Sequence, residues 1–255
     1  MYREVQVNEF QLLVDLHKDA VRLGPGGEDE TKLALKLAGI NRSKHYRIAD
    51  IGCGTGASTI LLAKDLDVEI TAVDFLQEFL EELRSSAVDH GVEDKITTLN
   101  CSMDDLPFSE GEFDVIWSEG AIYNMGFEAG VAAWNHFLKP GGKLVVSEIT
   151  WLSATRPDEL ESHWNKEYPE IDVASAKMGI LERNGYSPGG YFFLPDHCWL
   201  ENYYRPMQSR FSSFLARYGQ SAEAKEIVEC EKAEIALYEK YRNYYSYGFY
   251  IAKKL

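Results

Sequence analysis

The stretch Ile48-Ala49-Asp50-Ile51-Gly52-Cys53-Gly54-Thr55-Gly56 joins a short apolar run with one acid to a glycine-rich turn. Its apolar residues suit a strand that is buried on both faces of a parallel sheet. The three glycines permit positive φ angles and let a ligand approach bare backbone. The sequence from 57 to 65 then predicts a helix whose first amides lie at a positive helix end. A strand, a glycine loop and a helix start together predict a ligand-binding cradle.

The glycines alone leave two ligands open. Gly52, Gly54 and Ala57 also fit the dinucleotide pattern G-x-G-x-x-G/A. Asp50 argues against a dinucleotide, because a carboxylate there would repel a pyrophosphate and favour a ligand with an ammonium and a sulfonium, such as S-adenosylmethionine. About 20 residues further on, a second predicted strand ends at Asp74, where a carboxylate can accept hydrogen bonds from two ribose hydroxyls. Asp74 serves either cofactor.

Four segments resemble the class I S-adenosylmethionine-dependent methyltransferases in their order and spacing. They are DIGCGTG at 50–56, ITAVD at 70–74, DDLPF at 104–108 with FDVIWSEG at 113–120, and LKPGGKLVVSE at 138–148. The resemblance covers residues 47–150. It implies a doubly wound α/β fold with a seven-stranded, mostly parallel sheet, whose last strand runs antiparallel between the fifth and the sixth. It also implies S-adenosyl-L-methionine as the cofactor.

The resemblance assigns cofactor contacts to residues that follow the predicted strands. The expected set is Asp50, Gly52, Cys53, Gly54, Gly56, Asp74, Phe75, Ser102, Met103, Asp104 and Glu119. Similar enzymes bind the adenine at the loop 100–105, but many relatives have an acid at the Ser102 position. Whether Asp104 makes the hydrogen bond to the adenine amine, with Met103 packed against the ring, therefore stays open.

The candidate catalytic residues, Glu119 and Tyr123, follow the fourth predicted strand, where the resemblance implies the methyl group. Either side chain is a candidate for orienting the acceptor or for taking its proton. For Glu119 a second role stays open, because its carboxylate is also suited to holding the ammonium of the cofactor.

Composition limits the classes of partner. A chain of 255 residues with 45% hydrophobic content is long enough for one large α/β domain with a cap. A net charge of −15 and a pI near 4.9 disfavour non-specific binding to nucleic acid or to an anionic membrane surface. The sequence shows neither a transmembrane stretch nor the apolar core of a signal peptide, which predicts a cytoplasmic protein. The four cysteines and six histidines are scattered, so we expect no metal site.

The segments that flank the core, residues 47–150, predict two covers on a single domain. Residues 1–46 contain an amphipathic helix at 8–23 and a second helix at 31–37. We expect them to lie across the carboxyl edge of the sheet as an N-terminal lid, which would bring His17 and the loop 24–27 near the site, and plain packing is the alternative. Residues 151–255 should complete the sheet and add a helical substrate cap. The aromatic residues of this cap either wall an acceptor pocket, pack in the core, or form the surface of a homodimer: Trp199, Tyr203, Tyr204 and Phe211. Arg205 and Arg210 of the same cap are candidates for pairing with an acidic acceptor.

Together these observations predict a methyltransferase that moves a methyl group to an O, N or C nucleophile of a small molecule by in-line displacement. A sulfonium methyl is already activated, so the protein mainly needs to align the acceptor and exclude water, and a dedicated base is optional. Two alternatives stay open. One is a nicotinamide-dependent oxidoreductase, and the other is a protein that binds S-adenosylmethionine without catalysis.

Overall fold

The computed structural model describes the backbone of residues 2–255 and the side chains of residues 10–255. The strands are β1 (His45–Ile51), β2 (Asp67–Asp74), β3 (Ile96–Asn100), β4 (Phe113–Ser118), β5 (Leu138–Trp151), β6 (Asp172–Val173), β7 (Tyr186–Phe193) and β8 (Tyr245–Lys254). The helices are α1 (Tyr2–His17), α2 (Glu28–Leu37), α3 (Ala57–Asp65), α4 (Gln77–His90), α5 (Phe127–Asn135), α6 (Asp158–Glu167), α7 (Ala174–Arg183), α8 (Asp196–Trp199), α9 (Arg205–Arg217) and α10 (Ala222–Tyr241). A π-helical turn, Leu200–Tyr204, joins α8 to α9.

The strands form one sheet in the order β3-β2-β1-β4-β5-β8-β7. Strands β1 to β5 pair in parallel, and β8 is antiparallel to both β5 and β7. The predicted doubly wound α/β fold is therefore confirmed, including the antiparallel last strand between its two neighbours. The structure adds a two-residue strand, β6, which pairs in parallel with the end of β5. A strand this short has no periodicity from which the sequence could have predicted it.

Alternating side chains of the central strands build a core on each face of the sheet. Val115 and Trp117 belong to one buried cluster, whereas Ile116 between them belongs to the other. The same alternation separates Ile48 from Ala49 on β1. Burial on both faces fixes the register of the central strands, so their carboxyl ends meet at one edge of the sheet.

The predicted N-terminal helix at 8–23 has the wrong boundaries, because α1 ends at His17 and the chain continues as a loop to α2. The hydroxyl of Thr55 donates hydrogen bonds to the carbonyl oxygens of Ala20 and Val21, at 2.9 and 3.2 Å. The apolar residues at the end of the predicted helix thus meet the glycine loop instead of extending a helical stripe.

Within residues 2–255, every helix is too short or too polar to cross a bilayer. The cytoplasmic location, the lack of a nucleic-acid partner and the homodimer stay predictions.

Candidate functional site

The carboxyl ends of β1, β2 and β4 open into a cavity of about 780 Å³. Strands β2 and β4 lie on opposite sides of β1, which is the kind of switch point where open α/β sheets bind ligands. The loop after α1 and one face of α10 also line the cavity. The predicted site residues that line it are Gly52, Cys53, Gly54, Asp74, Phe75, Ser102, Met103, Asp104, Glu119 and Tyr123. Asp50 and Gly56 do not.

Each glycine of the loop has a different reason for lacking a side chain. All three have positive φ angles, of 74°, 55° and 90° at Gly52, Gly54 and Gly56. A β-carbon on Gly52 would clash with the methyl group of Ala121 on the opposite wall of the cavity. A β-carbon on Gly56 would instead clash with Leu83 of α4. Gly56 therefore permits α3 to pack against α4, and its contact with the cofactor stays a prediction.

Asp74, at the end of β2, is bonded to the glycine loop. Its Oδ2 accepts a hydrogen bond from the Gly54 amide and its Oδ1 accepts one from the Leu76 amide, both at 2.9 Å. Burial raises the pKa of Asp74, although these backbone amides oppose the shift. Each oxygen keeps a second lone pair for a ribose hydroxyl, so Asp74 and the bare backbone beside it fit the nucleoside of S-adenosylmethionine.

Asp50 lies behind the glycine loop, not in the cavity wall. It is fully buried, and its Oδ2 accepts hydrogen bonds from Ser58 at 2.9 Å and from Thr59 at 2.6 Å. Its Oδ1 is buried without a hydrogen-bond partner. Burial raises the pKa of Asp50 to about 7, against the effect of the two hydroxyls. Asp50 does not line the cavity, so from this position its charge would act on a bound cation through space, and its cofactor contact stays a prediction.

The loop after β3 presents its candidate residues together. The Ser102 hydroxyl donates a hydrogen bond to Asp104 Oδ1, and the carbonyl oxygen of Met103 accepts one from Trp134 Nε1 at 3.3 Å. The Ser102 hydroxyl uses Oδ1 of Asp104, so Oδ2 can accept a hydrogen bond from another donor, such as an adenine amine. Phe75, which is 67% exposed, also lines the cavity. The identity of the adenine contact stays a prediction.

Glu119 fastens the N-terminal segment to the sheet. Its Oε2 lies 3.0 Å from Arg22 Nη1, while its Oε1 accepts hydrogen bonds from Thr31 at 2.7 Å and from Trp117 Nε1 at 3.0 Å. Three donors, one of which carries the opposite charge, stabilise the carboxylate and occupy both of its oxygens. These contacts weigh against Glu119 as a catalytic base, and that role stays a prediction.

Tyr123 lies on a 3₁₀ turn after β4, and 42% of its surface is accessible. It lines the cavity, whose walls raise the pKa of the phenol by desolvation. A phenol with a raised pKa keeps its proton at neutral pH. The geometry therefore favours Tyr123 as a hydrogen-bonding group for the acceptor over Tyr123 as a base.

The substrate cap contributes residues that the sequence analysis missed. Glu231 and Glu234 of α10 line the cavity together with Tyr203 and His17. His17 Nε2 is 3.3 Å from Glu231 Oε1, and the Tyr204 hydroxyl donates to Glu234 Oε1 at 3.0 Å. Helix α10 carries acids on almost every turn, so nothing in its sequence distinguishes these two from solvated charges.

Of the aromatic residues predicted for this pocket, the cavity lining includes Tyr203 alone. Trp199, Tyr204 and Phe211 belong to the core. Trp199 stacks on Tyr238 with 4.5 Å between ring centroids and donates a hydrogen bond to Ser246 at 2.9 Å. The two candidate arginines do not line the cavity either. Arg205 pairs with Glu201, and Arg210 donates to the carbonyl oxygen of Leu16 at 3.1 Å.

The fold brings together one set of potential metal ligands that are distant in the sequence. Glu30, His197 and Cys198 bring donor atoms within 4.8 Å of one another in the described part of the chain. His197 Nε2 lies 3.3 Å from Glu30 Oε1 and 3.7 Å from Cys198 Sγ. An ion pair and a thiol hydrogen bond account for these distances, and the expected lack of a metal stays a prediction.

Replacing Asp74 by alanine is expected to weaken binding of S-adenosylhomocysteine by about 1.5–3 kcal/mol, because two hydroxyl contacts to a charged group are lost. Titration calorimetry measures the change. An unchanged affinity would contradict the assignment of Asp74 to the ribose.

Known proteins share the motifs and the fold. Residues 48–142 match a family described as a methyltransferase domain. The 27-O-demethylrifamycin SV methyltransferase of Amycolatopsis mediterranei is 28% identical over 137 residues, which cover 53% of this chain and 50% of that protein. The chloroplastic tocopherol O-methyltransferase of Arabidopsis thaliana is 24% identical over 200 residues, or 74% of this chain and 53% of that protein. The chain thus spans about half the length of these relatives.

The fold also matches a solved structure over nearly its whole length. A SAM-dependent methyltransferase from Geobacter sulfurreducens, in complex with S-adenosyl-L-homocysteine, superposes with a TM-score of 0.84 at 16% identity, covering 96% of this chain and 98% of that chain. These matches confirm the predicted fold and S-adenosylmethionine as the cofactor. Residues 48–142 belong to a methyltransferase-domain family, and the predicted resemblance of the chain to the class I S-adenosylmethionine-dependent methyltransferases is confirmed.

Proposed function

We propose that the protein transfers the methyl group of S-adenosylmethionine to a small-molecule acceptor by in-line displacement. The observation that carries this proposal is that one cavity includes both the glycine loop with Asp74 and, beyond Tyr123, the side chains of the cap. Its volume, about 780 Å³, lies within the usual range of small-ligand pockets. The two curated relatives are named for small-molecule acceptors, which supports the same class here.

The cofactor, when bound, supplies a methyl group that is activated by its attachment to a sulfonium. Asp74 would hold the ribose, and the loop with Ser102 and Asp104 would hold the adenine. Alignment of acceptor and donor in this way can contribute about 7–11 kcal/mol to lowering the barrier. Tyr123 would orient the acceptor by a hydrogen bond.

The N-terminal segment excludes water from the site in this proposal. The Arg22–Glu119 ion pair and the hydrogen bonds from Thr55 hold the loop after α1 against the sheet. A β-carbon on Gly54 would lie only 2.7 Å from Leu23 Cδ1, so this leucine covers the glycine loop. A dry site favours the reaction because charge disperses when a sulfonium becomes a thioether.

Two measurements test the proposal. Calorimetry should detect binding of S-adenosylhomocysteine and no binding of NADH. The reverse result would favour the nicotinamide-dependent oxidoreductase. Incubation of the protein with a metabolite extract and methyl-labelled S-adenosylmethionine, followed by mass spectrometry, should reveal a labelled small molecule. Tight cofactor binding without labelling across a broad acceptor panel would favour the non-catalytic alternative.

A further inference from the structure

The cavity has more acidic than basic side chains along its walls. The acids are Asp74, Asp104, Glu119, Glu231 and Glu234, whereas the basic side chains are Arg22 and His17. Arg22 is paired with Glu119, and His17 is paired with Glu231. The nucleoside of the cofactor accounts for Asp74 and Asp104. Glu234 then faces the cavity with no salt bridge to any side chain in residues 10–255, and Tyr204 is its hydrogen-bond donor.

Two further polar atoms beside Glu234 lack a hydrogen-bond partner among the described residues. His17 Nδ1 and Glu231 Oε2 are buried and make no hydrogen bond to any side chain or backbone atom among residues 10–255. Buried polar atoms in proteins are almost always paired, and both of these atoms belong to side chains that line the cavity, so a ligand in the cavity is one candidate partner for them. A carboxylate oxygen accepts hydrogen bonds only, and the ligand must therefore bring N–H or O–H donors.

Aromatic rings complete the same wall. Phe10, Tyr123 and Tyr203 line the cavity beside the carboxylates, and the ring of His17 stacks on Tyr203 with 6.4 Å between centroids. Ring faces attract cations, as carboxylates do. Glu234 is exposed to solvent while the cavity is open, and a bound ligand would cover its carboxylate. An anionic ligand would be repelled there, and a neutral alcohol would displace water from the carboxylate without supplying an opposite charge.

We infer that the acceptor is a small amine, bound as its ammonium against Glu234, Glu231 and the ring of Tyr203. The inference rests on the proposed function and names its substrate class. One proton passes from the ammonium to Glu234, which leaves a neutral amine. The nitrogen lone pair then forms the N–C bond, the electron pair of the broken S–C bond stays on sulfur, and the products are a methylated ammonium and a neutral thioether. Desolvation in the cavity wall and the neighbouring Glu231 raise the pKa of Glu234, a residue that is exposed while the cavity is open. This direction of shift supports its role as proton acceptor.

Matched ligands test the charge that the pocket prefers. The set comprises 2-phenylethylamine, 2-phenylethanol and phenylacetate, the corresponding indole compounds, and short aliphatic amines with their alcohols. Calorimetry on the protein loaded with S-adenosylhomocysteine should show at least one amine binding tenfold more tightly than its alcohol and its carboxylate. Labelled S-adenosylmethionine should transfer its methyl group to the nitrogen of that amine.

The variant Glu234→Gln tests whether Glu234 causes the preference of the pocket for amines. The substitution keeps the shape and the hydrogen bond from Tyr204, and it should weaken amine binding about 10- to 100-fold, since a charged partner is lost. The affinity for S-adenosylhomocysteine should change less than twofold. Glu226→Gln, exposed on the same helix and outside the cavity lining, should leave both affinities unchanged. Thermal unfolding checks that the variants fold, and Glu231→Gln provides the second variant.

Three results would overturn the inference. The first is an alcohol or carboxylate that is methylated while no amine binds more tightly than its matched counterparts. The second is a Glu234→Gln variant with full amine affinity. The third is an equal loss of amine and S-adenosylhomocysteine affinity, which would assign the carboxylates to the cofactor. Failure to bind S-adenosylhomocysteine at all would instead reject the proposed function, and the inference with it.

Discussion

Replacing Gly54 by valine is expected to lower the affinity for S-adenosylhomocysteine at least 100-fold, roughly 3 kcal/mol, while the fold is retained. Gly54 has a φ of 55°, which β-branched residues rarely adopt. Its amide is bonded to Asp74, so a distorted loop also loses the geometry of the ribose site. The new side chain would fill the space beside the ribose, whereas its nearest neighbour, Leu23 Cδ1, is the end of a flexible side chain that can rotate away. Titration calorimetry and thermal unfolding measure the two effects.

Gly39 provides the matched control for this substitution. Its φ is 65°, close to that of Gly54, and a β-carbon there would meet no atom within 4 Å. Gly39→Val therefore imposes a similar backbone strain at a position outside the cavity lining. We expect it to lower stability without changing affinity. Equal affinities of the two variants would show that the ligand binds elsewhere.

For Asp50→Asn we expect the largest change in how stability depends on pH. The folded-state pKa of Asp50 is raised to about 7, whereas an unfolded aspartate titrates near 3.9. Between these values the folded state holds a proton that the unfolded state has released, so the free energy of unfolding falls as pH rises. Relative to the variant, the wild-type protein should lose about 2–4 kcal/mol of stability from pH 4 to pH 7 and little more above it.

Urea denaturation of both ligand-free proteins across this range measures the difference. Asp89→Asn, on the exposed side of α4, is the control and should show the pH dependence of the wild-type protein. A bound cation would favour the charged carboxylate, so Asp50→Asn should weaken binding of S-adenosylmethionine more than that of the neutral thioether S-adenosylhomocysteine. If the free energies of unfolding of the variant and the wild type depend on pH in the same way, the raised pKa of the buried Asp50 is refuted.

The parts of the site that the sequence predicted are those set by local chemistry. A glycine loop after a buried strand and an acid at the end of the next strand lie within short segments, and parallel pairing brings their ends together. Asp74, Met103 and Tyr123 were predicted for this reason, as was the place of the antiparallel last strand.

The remaining features depend on packing between distant segments. The contact of Arg22 with Glu119 and the place of Glu234 in the cavity follow from how helices α1, α2 and α10 dock, which spacing along one helix does not encode. Trp199 and Tyr203 have the same aromatic character and nearly adjacent positions. Trp199 is buried, whereas Tyr203 lines the cavity. The π-helical turn that begins at Leu200 separates the two, and the sequence did not predict this turn.

The place of β8 in the sheet has a consequence for biosynthesis. This strand forms nine residue pairs with β5, yet it leaves the ribosome about a hundred residues later. Until then the nascent chain presents the apolar margin of β5 without a neighbour, which is a surface prone to self-association. Translation must therefore proceed through β8 before this margin is shielded.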